Sequence, residues 1–162
     1  MKFISCLVFL LFASSTFSQD LLHISEQDTI IFILPQNQDF KEQTLNFSNF
    51  KFSYIGSRQY GTNQYTFTDL LGSGRVSMNT QDDSPSTYMV KNNVTVEGSE
   101  FLKKYKNCIL SLQDIEKYGY IKFFYKILKI ESRALHKYYV VNEPDLKDKN
   151  IILRRTYPYS FD

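Results

Sequence analysis

The hydrophobic pattern of this chain changes at Gly98, and that change limits what the chain can fold into. Before Gly98, an isoleucine-rich run from Asp28 to Leu34 is followed by apolar residues that alternate with polar ones, the pattern of β-strands. After Gly98, apolar residues recur at helical spacing up to residue 135. The pattern therefore predicts strands in the first part of the chain and helices after them.

Three local signals refine the strands. The alternation slips by one residue at Ser48-Asn49, which indicates a β-bulge. The glycine turn from Leu71 to Gly74 lies between alternating segments and predicts a hairpin. The last two apolar runs, Lys137 to Asn142 and Asn150 to Tyr157, predict a second hairpin that closes the domain.

Two or three helices are predicted in residues 99–135. Ser99 is expected to cap the first helix. Ser111 and Asp114 have the spacing of a capping box, and Gly119 is placed to end the helix that they begin. The predicted fold class is α+β: an antiparallel sheet, formed by the N-terminal strands and the C-terminal hairpin, packed on one face against these helices.

A stripe of four basic residues marks the last predicted helix, which begins at Tyr120. Their spacings of four, three and four residues place them on one narrow side of a helix whose other sides are apolar. The stripe consists of Lys122, Lys126, Lys129 and Arg133. Solvation of these charges explains the pattern, but a basic helix face can also meet an acidic partner or an anionic membrane, so we treat the stripe as a possible interaction surface.

The first eighteen residues resemble a secretory signal peptide. Lys2 supplies a positive charge, Ile4 to Ala13 is apolar, and Thr16-Phe17-Ser18 places small residues where a signal peptidase reads. We therefore expect residues 1–18 to be removed and residues 19–162 to form a single globular domain that is secreted or periplasmic. No apolar run reaches the roughly 20 residues that a membrane-spanning helix needs.

Cleavage of the signal would leave Cys108 as the one thiol of the exported chain, since Cys6 lies in the signal. No disulfide can then form within the chain, so its stability has to come from the core. About 140 residues bury roughly two-thirds of the surface of the unfolded chain, which is enough for one self-supporting domain.

The sequence shows no spacing typical of a catalytic, cofactor or metal site. One cysteine and two distant histidines, His23 and His136, make a poor zinc ligand set. Cys108 and His136 could form a thiolate–imidazole pair, but Ile109-Leu110 predicts a buried strand and therefore a structural thiol. We predict no catalytic residue, no cofactor and no metal.

Charge and aromatic content bear on the partner. The net charge is only +2, and from Ser99 onward thirteen basic residues outnumber eight acidic ones. Basic and aromatic residues interleave in Lys137 to Tyr139 and in Arg154 to Tyr157. An exported, nearly neutral protein seldom meets nucleic acid, so a protein or an acidic surface is the expected partner. Asn46 and Asn93 begin glycan acceptor sequons, which matter only in a eukaryotic source.

These observations favour an exported, non-enzymatic binding or interaction protein. Two alternatives stay open. A small secreted hydrolase needs no sequence motif if its catalytic carboxylates meet only in the folded chain. An inhibitor or immunity-type protein would bind and neutralise another protein.

The signal peptide yields the first testable prediction. Mass spectrometry of the exported protein is expected to find Gln19, in some molecules cyclised, or Asp20 at the N-terminus, because signal peptidase cuts after small residues. An intact Met1 in the exported fraction would contradict this assignment.

Overall fold

The computed structural model describes residues 24, 27–36, 42–57, 62–72, 74–81, 93–124 and 136–161. The predicted signal peptide lies outside these residues. So do Lys126, Lys129 and Arg133 of the basic stripe, and His23.

The described residues form two five-stranded sheets. Sheet A has the order β6-β9-β8-β1-β7, and sheet B has the order β10-β5-β4-β3-β2. The strands, in chain order, are β1 Thr29–Leu34, β2 Gln43–Asn46, β3 Phe50–Ser57, β4 Thr62–Asp69, β5 Arg75–Gln81, β6 Val94–Glu97, β7 Ile109–Leu110, β8 Lys137–Asn142, β9 Asn150–Thr156 and β10 Tyr159–Phe161.

Sheet A is mixed, with β1 at its centre. β1 runs parallel to both neighbours, so that Ile31 lies beside Ile109 of β7 and beside Tyr139 of β8. The predicted closing hairpin is confirmed, because β8 and β9 pair antiparallel with Tyr139 opposite Arg155. β6 then pairs antiparallel with β9 and forms one edge of the sheet.

Sheet B is an antiparallel meander that β10 completes. The predicted hairpin around the glycine turn is confirmed as β4 and β5. The predicted bulge at Ser48-Asn49 is wrong, because the chain reverses there: the Phe47 amide donates to the Phe50 carbonyl at 2.9 Å, and β2 returns as β3. A tight turn between strands shifts the alternation by one residue just as a bulge does.

The main core lies between the two sheets. Ile30, Phe32 and Leu34 of β1 face sheet B, whose inner face supplies mostly aromatic rings. These fully buried rings are Phe50, Phe52, Tyr54, Tyr65 and Phe67. Several pack edge to face or tilted with centroids about 5–6 Å apart, as between Phe52 and Phe67 at 5.3 Å.

A second, smaller core covers the other face of sheet A. Helix α1, Gly98–Tyr105, inserts its buried Phe101 there, against apolar residues of β1, β7, β8 and β9. β1 is therefore buried on both faces. Ser99 does not cap α1 as predicted. The helix already begins at Gly98, and its N-cap is Glu97, which makes no side-chain capping hydrogen bond.

Two short helices close one end of the sandwich. The predicted capping box at α2, Leu112–Tyr118, is confirmed, with Ser111 and Asp114 bonded reciprocally. Gly119 ends α2 with a φ of 82°, which glycine adopts without strain. The single turn α3, Tyr120–Phe123, follows at once.

The predicted fold class is wrong in its layers. The chain is mostly β, and an antiparallel sheet packed against two or three helices in residues 99–135 is not what forms. Sheet B, not a helical layer, covers the inner face of sheet A, and the N-terminal strands divide between the two sheets. Alternation identifies a half-buried strand but not the sheet that it joins, so the sequence pattern could not separate these arrangements.

The α3 end of the core gives the second prediction. Phe124 is buried, with its ring centroid 4.1 Å from that of Tyr120 and 5.8 Å from that of Phe67. We expect Phe124→Ala to lower the free energy of unfolding by about 3–5 kcal/mol, because it leaves a cavity among these rings. Urea denaturation measures the change.

The exposed Lys122 provides the matched control from the same turn. Lys122→Ala is expected to change the free energy of unfolding by no more than about 0.5 kcal/mol. Equal effects of the two substitutions would show that this segment does not close the sandwich.

Candidate functional site

Two adjacent arginines on β9 have opposite environments. Arg154 pairs with Val140, whose side chain lies in the core between the sheets, and Arg155 pairs with Tyr139 on the other face. Alternation along a strand enforces this division. The two side chains must therefore be considered separately.

Arg154 is neutralised inside a polar cluster that lies where β8 ends. Its Nη1 donates to Asp145 Oδ2 at 2.7 Å, and both side chains are largely shielded from water. Asn142 Nδ2 also approaches this carboxylate, at 3.4 Å, while Asn142 Oδ1 accepts a 2.9 Å bond from the Tyr65 hydroxyl. A shielded ion pair with further hydrogen bonds is a satisfied structural element rather than a free binding group.

A second hydrogen-bonded chain adjoins this cluster. Gln36 Nε2 donates to the Tyr54 hydroxyl at 3.2 Å, and that hydroxyl donates to Asn63 Oδ1 at 2.8 Å. The rings of Tyr54 and Tyr65 lie 5.4 Å apart, which joins the two chains. Each phenol extends the aromatic core and ends in a hydrogen bond, so this end of the sandwich closes without an unpaired phenol.

Arg155 has no carboxylate partner among the described residues. Its guanidinium instead lies over two tyrosine rings, with Cζ 5.3 Å from the Tyr139 centroid and 4.9 Å from the Tyr157 centroid. Its Nη1 is buried without a hydrogen-bond partner. Tyr157, by contrast, is 62% exposed. We name these three residues the arginine–tyrosine cluster.

The surroundings of this cluster are cationic. Lys137 is exposed and lies two residues before Tyr139, on the same face of β8. Burial raises the pKa of Tyr138 to about 12, and the positive charge of Arg155 acts against that rise. The cluster therefore presents a positive charge and an exposed ring and holds a buried donor without a hydrogen-bond partner, a combination that suits an anionic group.

The two sequence positions most suited to nucleophilic chemistry do not meet. Cys108 Sγ lies 3.9 Å from Gln27 Oε1, and His136 Nδ1 lies 2.8 Å from the Gln27 carbonyl oxygen. Cys108 precedes β7 and His136 precedes β8, with β1 between these strands, so their axes are about 10 Å apart. Burial also raises the pKa of the Cys108 thiol, which disfavours the nucleophilic thiolate.

The shielded carboxylates of the described residues have structural partners. Asp69 Oδ1 accepts a 3.0 Å bond from the Leu71 amide in the turn after β4. Asp114 completes the capping box of α2. Glu116 Oε1 accepts a 2.8 Å bond from the Ser48 amide, which ties α2 to the turn between β2 and β3. Asp145 pairs with Arg154. Within the described ranges, no three histidine, cysteine or acidic side chains are grouped so that they could hold a metal ion.

The basic stripe predicted as an interaction surface is only partly placed. Lys122 is exposed on α3, whereas Lys126, Lys129 and Arg133 lie outside the described residues. The arginine–tyrosine cluster was not predicted as a site, although its basic and aromatic residues interleave in both arms of the predicted hairpin. A cross-strand alignment of those arms would have revealed the Tyr139–Arg155 pair, but the hairpin register was not known.

Comparisons with known proteins assign no function to this site. No protein-family model, no curated protein and no solved structure matches the chain. Among the described residues, no helix has the length and apolarity needed to cross a membrane.

The third prediction concerns Cys108. Because it is buried and its thiol pKa is raised, we expect a thiol reagent to label Cys108 of the native chain slowly near neutral pH. Labelling should quicken as the pH rises towards the thiol pKa, because only the thiolate reacts, and should become fast in denaturant. Mass spectrometry of the labelled chain follows both changes.

The opposite result has a clear meaning. Rapid labelling of the native chain at neutral pH, or a dimer linked through Cys108 under non-reducing conditions, would contradict a structural thiol. The thiolate–imidazole alternative would then need a new account of how Cys108 reaches His136.

Proposed function

We propose that this is an exported, non-enzymatic protein that binds another protein, and that its partner presents a carboxylate to the arginine–tyrosine cluster. The observation that carries the proposal is the environment of Arg155: its guanidinium has no carboxylate partner among the described residues and lies over the rings of Tyr139 and the exposed Tyr157. Tyrosine and arginine are the residues most enriched at the energetic centres of protein interfaces.

The ring contacts prepare the guanidinium for its partner. Contact with two rings restricts the rotation of Arg155 before binding, so less side-chain entropy is lost when the complex forms. The planar fork of arginine can then donate two parallel hydrogen bonds to one carboxylate. Displacement of the exposed Tyr157 ring would bring the buried Nη1 into reach.

The engagement of the shielded carboxylates supports the absence of catalysis in this proposal. Among the described residues, the buried Asp114 and the half-buried Asp69, Glu116 and Asp145 are engaged in capping, a turn, turn docking and an ion pair. A hydrolase with two carboxylates would need a pair aimed at a substrate instead. Export rests on the signal-like residues 1–18.

A matched pair of peptides tests the binding proposal, which is the fourth prediction. A glutamate-rich peptide is expected to bind the exported chain, and its glutamine counterpart is not. Arg155→Gln should weaken that binding by at least about tenfold, because a hydrogen-bonded charge pair is lost. Arg155→Lys should give an intermediate loss, since an ammonium lacks the fork. Fluorescence anisotropy measures each affinity.

Arg75→Gln is the control, since it removes the same charge from an exposed residue of sheet B. It should leave the affinity unchanged. Equal binding of the two peptides, failure of both to bind, or equal loss from Arg75→Gln and Arg155→Gln would each overturn the proposal.

A further inference from the structure

We infer that the outer face of sheet B binds a neutral saccharide around Tyr159, at a site separate from the arginine–tyrosine cluster. The starting observation is the chemistry of this face. Among its described side chains only Lys51 and Arg75 are charged and only Ile55 is aliphatic, whereas the others besides Tyr159 carry hydroxyls or amides. None of these described side chains is a carboxylate.

Tyr159 belongs to the edge strand β10, but its side chain extends across the sheet. Its hydroxyl accepts hydrogen bonds from Gln64 Nε2 at 3.1 Å and from Asn79 Nδ2 at 3.0 Å. Gln64 belongs to β4, and β5 separates that strand from β10. Since neighbouring strands are about 4.8 Å apart, the Tyr159 side chain must extend over β5 to reach Gln64.

The burial of the residues beneath supports this placement. Ser77 is opposite Tyr159 in the register, and Thr66 is opposite Ser77. Both belong to the outer face, yet Ser77 is 0% and Thr66 5% exposed, and their hydroxyls bond each other at 3.0 Å. The Tyr159 side chain that extends over β5 accounts for this burial, while Tyr159 itself is only half-buried and so keeps part of its surface open to a ligand.

The two amides complete the site. Each uses an N–H on the Tyr159 hydroxyl, which directs its carbonyl oxygen away from that bond. Asn79 is exposed, and Gln64 is half-buried. A flat ring flanked by amide acceptors and donors matches a sugar ring, which offers C–H groups on one face and hydroxyls around its rim. The lack of carboxylates among the described side chains makes a cationic ligand a poor fit.

Affinity electrophoresis provides the test, which is the fifth prediction. The exported chain is run through gels that contain one of three neutral polysaccharides: hydroxyethylcellulose, soluble starch or galactomannan. At least one is expected to retard it. Asn79→Ala and Gln64→Ala should each weaken the retarding interaction about fivefold, the effect of one lost hydrogen bond. Asn79 is exposed, so its truncation leaves the fold intact.

Thr44→Ala is the matched control, because it removes an exposed hydroxyl from the same face at the far edge strand β2. It should not change the retardation, and neither should added salt or Arg155→Gln. Absence of retardation in all three gels, or unchanged retardation of Asn79→Ala, would overturn the inference. Loss of retardation in Arg155→Gln alone would also overturn it, and would assign the interaction to the arginine–tyrosine cluster.

Discussion

The burial of β1 on both faces is the constraint on which the rest of the structure depends. Its even-numbered side chains enter the aromatic core shared with sheet B, and Ile31 and Ile33 enter the smaller core under α1. Its two parallel neighbours satisfy the backbone groups of the strand. Without β1, the core between the sheets would lose the side chains of the central strand of sheet A, and α1 would lose apolar residues against which Phe101 packs.

The parallel pairing of β1 also positions the groups that the sequence singled out. Parallel strands begin at a common edge, so Cys108, Gln27 and His136 gather where β7, β1 and β8 start. They end at a common edge too, where Gln36 and Asn142 enter the polar cluster. One choice of strand direction thus places the buried thiol and the shielded Arg154–Asp145 ion pair towards opposite ends of these strands.

Most features that depend on residues close together in the chain were predictable from the sequence, and the assignment of the strands to two packed sheets was not. The two hairpins, the capping box at Ser111 and the stop at Gly119 each depend on residues close together in the chain, and all were predicted. The assignment of strands to two sheets depends on contacts between distant residues, which alternation does not encode. The turn at Ser48-Asn49 was misread because only hydrogen bonds distinguish a bulge from a reversal.

The pairing of strands that are far apart in the chain determines how late in synthesis the protein can fold. Thr29 pairs with Lys137, and the last strand, β10, completes sheet B beside β5. Neither sheet can be finished until nearly the whole chain has been synthesised, and such distant pairings form slowly. Until these distant pairings form, the domain is not folded, and only an unfolded chain is narrow enough to be threaded through a channel in a membrane.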